Sequence, residues 1–362
     1  MAGLSLPVKS FFEDLMYGRQ RSLFWEGVLF VLSCLYGAAI RVRKWGYTIH
    51  ILQRRGLACT VISVGNVTLG GTGKTPAVIH LAALLLKMQR RPVVVSRGYG
   101  RINEAERVIV SDGNSILVDT KTGGDEPVLI ASKLPGVPVI VGQNRYQAAQ
   151  DALHRFKTDA VILDDGFQHI QLKRTLDIVL VDARDPFGNG KLFPAGILRE
   201  PIASLERADA VLITNTDRVV DAALLKESIM QCTRAPIFTS HQVPIDLIDY
   251  CSGETKPLSA LHGTRVFAFS GIARPASFTS MLRSLGADIV GEASFPDHYD
   301  FKKSDLAGVF QKAADDKVSM IVTTEKDAVR LQTVKHEGVW ALRIELMVTE
   351  REAWENLILK GL

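Results

Sequence analysis

The chain has 362 residues, 47% hydrophobic and 23% charged, which suits two lobes of ordinary globular composition and excludes wholesale disorder. Its four cysteines, Cys34, Cys59, Cys232 and Cys251, lie far apart with no Cys-x-x-Cys pair; a disulfide-stapled module and a zinc finger are excluded, and a reducing compartment fits. The net charge of +4 sits in the N-terminal arm, where residues 1–55 hold eight basic side chains against three acidic ones. The remainder is nearly neutral, whereas a nucleic-acid enzyme spreads lysine and arginine over its globular part, so no nucleic-acid partner is expected.

Leu23–Ile40 is apolar apart from Glu26 and Ser33, with Arg19 and Arg21 ahead of it and Arg41, Arg43 and Lys44 behind. Trp25, Tyr36 and Trp45 stand where an aromatic belt meets lipid head groups. The interrupted run falls short of the roughly 20 apolar residues that span a bilayer. No small-x-small cleavage site follows it, which argues against a signal peptide. An amphipathic helix lying on an anionic membrane surface fits best, with a buried core helix and a true span as alternatives.

After Arg55 the pattern changes to short apolar runs separated by helical stretches. Strands are expected at 60–64, 92–96, 137–141, 160–163, 178–181, 210–213, 265–269 and 319–323. Helices are expected at 75–89, 143–156, 222–231, 275–285, 303–314 and 350–359. Runs rich in β-branched residues, rather than strict alternation, indicate strands buried on both faces of a mostly parallel sheet. The expected fold is therefore α/β, a doubly wound, mostly parallel sheet, which the glycine-rich GNVTLGGTGKT turn after the first strand (65–75) makes P-loop NTPase-like, with a smaller C-terminal α/β lobe and the N-terminal membrane-contact helix. The polar, turn-rich stretch 242–261 marks the expected boundary: an arm over 1–55, a P-loop core over 56–241 and a C-terminal lobe over 242–362.

Residues 61–75, VISVGNVTLGGTGKT, give a strand, a glycine-rich turn and a helix start, the context a phosphate-binding loop requires. Thr68, Leu69, Gly70, Gly71, Thr72, Gly73, Lys74 and Thr75 are the expected ATP-binding stretch. The glycines let backbone N–H groups face the phosphates, Lys74 reaches the β/γ oxygens and the Thr75 hydroxyl suits Mg²⁺. Thr68 stands where the usual motif has its first glycine. At 160–169, AVILDDGFQH, an apolar strand ends in Asp164-Asp165, carboxylates at the sheet edge where a Walker B aspartate holds Mg²⁺. His169 is open between packing and chemistry. Thr214-Asn215-Thr216-Asp217 and Thr324-Glu325-Lys326-Asp327 each follow a strand and could meet the nucleotide base or simply start a helix.

The phosphate loop (65–76), GGDEP (123–127), DDGFQH (164–169), FPAG with LRE (193–200), FPDHYDF (295–301) and TTEKDAVRL (323–331) together resemble the tetraacyldisaccharide 4′-kinase family. The resemblance implies transfer of the ATP γ-phosphate to the 4′-hydroxyl of tetraacyldisaccharide 1-phosphate, in lipid A synthesis at the cytoplasmic face of a bacterial inner membrane. It implies ATP and Mg²⁺, with Thr75, Asp165 and Glu200 around the metal, Asp164 behind them and Arg199 near the transferred phosphate. Asp125, paired with His298, is implied to activate the sugar hydroxyl, beside Lys74 as the phosphate-contacting cation. An acylated disaccharide 1-phosphate and an anionic membrane surface are then the partners, with no obligate protein partner implied.

From spacing alone, Asp125 could instead cap a helix, His298 could be a loop histidine bonded to a neighbour, and Glu126 could be a helix-start charge. Two other functions remain open. A membrane-associated nucleotide switch would need neither Asp125 nor His298, although the lysine that partition-type ATPases carry just ahead of the loop is absent, Thr68 and Leu69 occupying that stretch. A soluble small-metabolite kinase would not need residues 1–45.

Overall fold

The computed structural model describes residues 11, 12, 14–249, 251–331 and 338–362. They form two compact units, one built from residues up to Val95 with Asn144–His241 and Val348–Leu362, the other from Ser96–Gln143 and Gln242–Met347. The chain thus leaves the first unit at Val95 and re-enters it at Asn144, where the sequence reading runs a P-loop core unbroken from 56 to 241.

In the first unit, helix α1 (Leu23–Thr48) precedes the sheet. Its parallel strands run in the order β7 (Ala210–Thr214), β6 (Leu176–Asp182), β1 (Thr60–Asn66), β5 (Ala160–Asp164), β2 (Pro92–Ser96), and the start of β8 (Ile237–Asp249) pairs with β7. Strands β5, β6 and β7 are buried at every position, which explains their unbroken apolar runs. Helices α2 (Lys74–Lys87), α5 (Arg145–Arg155), α6 (Ala222–Met230) and α10 (Arg351–Lys360) complete this unit. Val67, Phe167, Val179, Leu198 and Val211 belong to one buried cluster, so the loop after β1, the loop after β5 and the 198 segment share a core. With β1 central and chain order diverging on either side of it, the carboxyl ends of β1 and β5 mark a topological switch point.

In the second unit the parallel strands β11 (Asp288–Ser294), β10 (Arg265–Ser270), β12 (Met320–Thr324) and β13 (Val339–Val348) lie side by side. An antiparallel pair, β3 (Val108–Asp112) with β4 (Pro138–Val141), flanks the short α3 (Thr120–Gly123) and α4 (Asp125–Lys133) in sequence. Helices α7 (Pro275–Ser284), α8 (Lys303–Asp315) and α9 (Glu325–Leu331) complete it. Lys133 at the end of α4 reaches Glu325 at the start of α9 (2.9 Å), tying the two helices together.

The stretch 242–261 is less turn-like than its composition suggests. β8 runs through it to Asp249 and pairs antiparallel with β9 (Thr255–Pro257). Leu247 is its one fully buried aliphatic there, so polar side chains on partly exposed positions hide the strand from a hydrophobicity reading.

Helix α1 runs 26 residues and buries Leu29, Ser33, Gly37, Gly46 and Tyr47, a stripe at helical spacing. The rest of its apolar surface faces outward, with Leu23 92%, Phe24 70%, Phe30 57% and Leu35 64% exposed. Trp45 also faces outward, but the Tyr36 hydroxyl donates to the carbonyl of Arg199 (3.0 Å). The Tyr36 hydroxyl is thus turned toward the protein.

Candidate active site

The phosphate loop is pinned from below and open above. Leu69 N–H donates to the carbonyl of Ile197 (2.7 Å), Arg199 N–H donates to that of Val67 (2.7 Å), and Thr68 bridges Leu198. The buried Asn66 amide donates to Thr72 Oγ1 (3.0 Å) and, more weakly, to Thr68 Oγ1 (3.5 Å). Thr68 and Thr72 thus turn inward and fix the loop, which accounts for a threonine where the usual motif has glycine. Gly70 and Gly71 are exposed, Gly70 and Gly73 hold φ of +96° and +85°, and Lys74 opens helix α2 directly after Gly73. A β-carbon on Gly71 would meet nothing within 4 Å, so the loop presents bare, open backbone where oxyanions bind.

Lys74 Nζ donates to Asn66 Oδ1 (3.3 Å) and lies 3.5 Å from Asp165 Oδ1. Arg199 Nη1 contacts both oxygens of Asp165 at 2.8 Å. Asp165 itself, one step beyond β5, adopts a left-handed backbone (φ 53°), unusual for a non-glycine residue and a mark of a constrained position. Burial pushes its carboxyl upward, but Lys74 first and Arg199 next outweigh that and hold its pKa at about 2. Asp164 is almost fully buried behind it.

Glu200 is also buried, and both its oxygens are engaged: Arg207 takes them at 2.9 and 3.1 Å and Lys44 lies 3.0 Å away. Burial raises its pKa, but the Arg207 hydrogen bond and the charges of Arg207 and Lys44 bring it below the usual value. The structure therefore brings Lys74, Asp165 and Arg199 together; Glu200, which follows Arg199 in the chain, has its carboxylate turned to two cations. The Thr75 hydroxyl at the helix start, the Asp165 carboxylate and the open glycine turn suit Mg²⁺ and a triphosphate in donor chemistry.

His169 is held neutral, its pKa lowered to about 3 by burial first and then by Arg145, Arg174 and Arg43. Its carbonyl accepts from Arg174 (2.9 Å), while its ring Nε2 is buried with no hydrogen-bond partner among the described residues. Thr214 closes β7 against the loop, donating to the carbonyl of Thr72 (2.9 Å), and Asn215 next to it is buried in a left-handed conformation.

The second unit holds a different cluster. Asp125 is the first residue of α4 rather than its cap, which is Gly124. Asp125 Oδ2 meets His298 Nδ1 at 2.9 Å and accepts from Arg330 Nε at 2.9 Å and from Arg330 Nη2. Oδ1 accepts only the neighbouring Glu126 N–H (3.1 Å) among the bonds seen here. Lys326 Nζ stands 3.2 Å from His298 Nε2 and 3.4 Å from Glu126 Oε1. An ammonium only donates, so Nε2 is the acceptor and Nδ1 carries the proton given to Asp125. Burial raises the Asp125 pKa, but the His298 hydrogen bond and the charges of Arg330 and Lys326 hold it well below the usual carboxylate range.

Arg330 is not singled out in the sequence, and Lys326 is considered there only as part of a candidate base-reading segment. They sit four apart on one face of α9, and Arg330 Nη1 also donates to Asp327 (2.9 Å) and to the carbonyl of Gly271 (2.9 Å). In the segment Thr324–Asp327, a candidate base reader in the sequence, Asp327 accepts from Arg330 (2.9 Å) and Thr324 donates to Asp327 (2.6 Å).

The model of one family, Tetraacyldisaccharide-1-P 4'-kinase, matches residues 25–362. The chain belongs to this family. A tetraacyldisaccharide 4'-kinase of Syntrophus aciditrophicus is 43% identical over 344 residues, covering 92% of each chain. One from Pelobacter propionicus is 37% identical and covers 99% of this chain and 100% of its own. Among solved structures, LpxK from Aquifex aeolicus in complex with ATP superposes with a TM-score of 0.78 at 33% identity, covering 93% of this chain and 99% of that one.

Asp165 also sets an acid limit within this family member. Its folded pKa of about 2 lies below the ordinary 3.8, so its contribution to stability is fully present above about pH 4 and is lost as pH falls toward 2. Asp165→Asn is expected to be less stable than wild type at pH 7, with the difference in urea midpoint closing between about pH 4 and 2.

Proposed function

We propose that this chain is an ATP-dependent tetraacyldisaccharide 4′-kinase, phosphorylating the 4′-hydroxyl of a tetraacyldisaccharide 1-phosphate at a membrane surface. The observation that carries the reading is the Asp125–His298–Lys326–Arg330 cluster, which a nucleotide switch has no use for, in a chain whose family match runs from residue 25 to its last residue.

Lys74, Arg199 and the loop N–H groups bind and orient the triphosphate and spread the charge that builds on the transferring group. Thr75 and Asp165 would hold Mg²⁺, which would supply positive charge to offset that of the triphosphate. Asp125 Oδ1 takes the acceptor hydroxyl, because Oδ2 is already held by His298 and Arg330. The bond from the 4′-oxygen to the γ-phosphorus forms as the bond to the β,γ-bridging oxygen breaks, and the hydroxyl proton passes to Asp125. A carboxylate of low basicity suffices, since in a loose transition state the proton leaves late and positioning matters more than driving force.

The test is an assay in mixed micelles with γ-labelled ATP, Mg²⁺ and tetraacyldisaccharide 1-phosphate. Label entering the lipid supports the kinase; label released only as free phosphate, indifferent to lipid, supports the switch.

Docking is read from α1. Its outward apolar residues and the basic arm suit the anionic cytoplasmic leaflet, the face on which ATP is available. One stripe of the helix, seated on protein, favours a helix lying on the surface over one crossing it. Phe24→Asp with Phe30→Asp is expected to weaken co-sedimentation with vesicles containing phosphatidylglycerol by at least about tenfold, from lost burial of two aromatic side chains. Unchanged sedimentation would remove α1 from the docking surface.

A further inference from the structure

The buried edge of α1 makes polar contacts that a plain anchor does not need. An apolar stripe would hold it down, and Gly37 already lets the helix approach Leu192, where a β-carbon would come within 2.9 Å. Yet the Tyr36 hydroxyl donates to the Arg199 carbonyl (3.0 Å), and Lys44 Nζ contacts Glu200 (3.0 Å) and Ser204 Oγ (2.6 Å). Arg43 donates to the Gln168 carbonyl (3.3 Å), and the Gln168 amide in turn donates to the carbonyl of Asn66 (2.8 Å), the residue that receives Lys74.

We propose that Tyr36 and Lys44 are positioning residues for phosphoryl transfer, holding the Arg199–Glu200 peptide so that Arg199 clamps Asp165. The proposal rests on the reading of Arg199 and Asp165 as part of the phosphate site. The peptide before Arg199 is fixed by its N–H bond to Val67 (2.7 Å), and the peptide after it is fixed only by the Tyr36 hydroxyl among the bonds seen here. With both planes held, the direction of the Arg199 side chain is set, and its Nη1 meets both Asp165 oxygens at 2.8 Å. Lys44 acts on the other side of the same peptide. The Glu200 carboxylate, 3% exposed, is shared between Lys44 and Arg207, so losing Lys44 leaves a buried charge held from one direction. Membrane contact and the reacting centre are thereby joined through one helix: where α1 seats, the Arg199 peptide is ordered.

The experiment uses the full chain in the mixed-micelle assay, with vesicle co-sedimentation and thermal midpoints alongside. Tyr36→Phe keeps the ring and its edge contact with Phe193 (centroids 5.9 Å apart), so folding is preserved while one hydrogen bond is lost. Tyr36→Phe and Lys44→Met are each expected to lower kcat about tenfold with the KM for ATP unchanged, Tyr36→Phe with vesicle binding unchanged as well, and Lys44→Arg is expected to restore most of the rate. Tyr36→Phe and Lys44→Met turning over at the wild-type kcat, or losing rate only in step with lost vesicle binding, would overturn the positioning role. Arg199→Ala separates the two layers: an undiminished kcat there overturns the site assignment and the proposal with it, whereas a crippled Arg199→Ala beside an unimpaired Tyr36→Phe overturns the positioning role alone.

Discussion

Lys74→Ala is expected to lower kcat for phosphoryl transfer by about 10²–10³-fold or more, the cost of removing one preorganised charge from a developing phosphoryl transition state. Lys74 opens α2 at the carboxyl end of the central strand β1, so its ammonium adds to the positive end of the helix. It is held ready by Asn66 Oδ1 at 3.3 Å and Asp165 Oδ1 at 3.5 Å, which orders a long side chain before nucleotide arrives. Lys74→Arg should recover little, because the planar guanidinium is longer and cannot present a point charge from the same stem. ATP affinity, measured separately by equilibrium binding, is expected to fall less than kcat, since the loop N–H groups remain. A Lys74→Ala enzyme that still labels the lipid at the wild-type rate would remove this loop from the chemistry.

How much could be read from the sequence depends on whether partners are near in chain. Strand, glycine turn, Lys74 and Thr75 form one contiguous stretch, and Asp164-Asp165 ends a strand of five buried residues, so local pattern alone placed them. Among the strands that escaped reading, β13 opens on four buried residues, whereas β11 and β3 are partly exposed. β11 is intermediate or exposed throughout, so Asp288–Ser294 offers no apolar run. β3 is short, half-buried and antiparallel, and it precedes a turn rich in Asp, Gly and Asn. The Asp125–Arg330 pair joins residues 205 positions apart, and no spacing rule connects them. The usable signal was the i, i+4 pair Lys326–Arg330 with Asp327 between them, two cations on one face of a short helix whose neighbour Asp327 is fully buried. The family resemblance supplied Asp125 and His298, whereas side-chain geometry was needed to show that an arginine holds that aspartate and that a lysine fixes the tautomer of that histidine.

Asp125→Asn should be the second large loss, lowering kcat by about 10²–10⁴-fold with the KM for ATP nearly unchanged. The amide keeps the shape of the side chain but removes the charge that Arg330 and His298 both recognise, and it can no longer accept the hydroxyl proton. Because the carboxyl is held well below the usual range, Asp125 stays ionised at any pH the enzyme would meet. It should therefore contribute no acid limb to the kcat profile above about pH 5. Arg330→Met is the informative companion. Without the guanidinium, burial is left to raise the Asp125 pKa against His298 and Lys326 alone, so an acid limb should move up toward the working range while kcat falls. Lys326→Met tests the tautomer: with no donor at Nε2, His298 is free to place its proton there, and Asp125 then loses the Nδ1–H bond in part of the population. A kcat that survives Asp125→Asn, or an Arg330→Met profile that does not shift with pH, would take the aspartate out of acceptor activation and leave the arginine as a structural tie between α4 and α9.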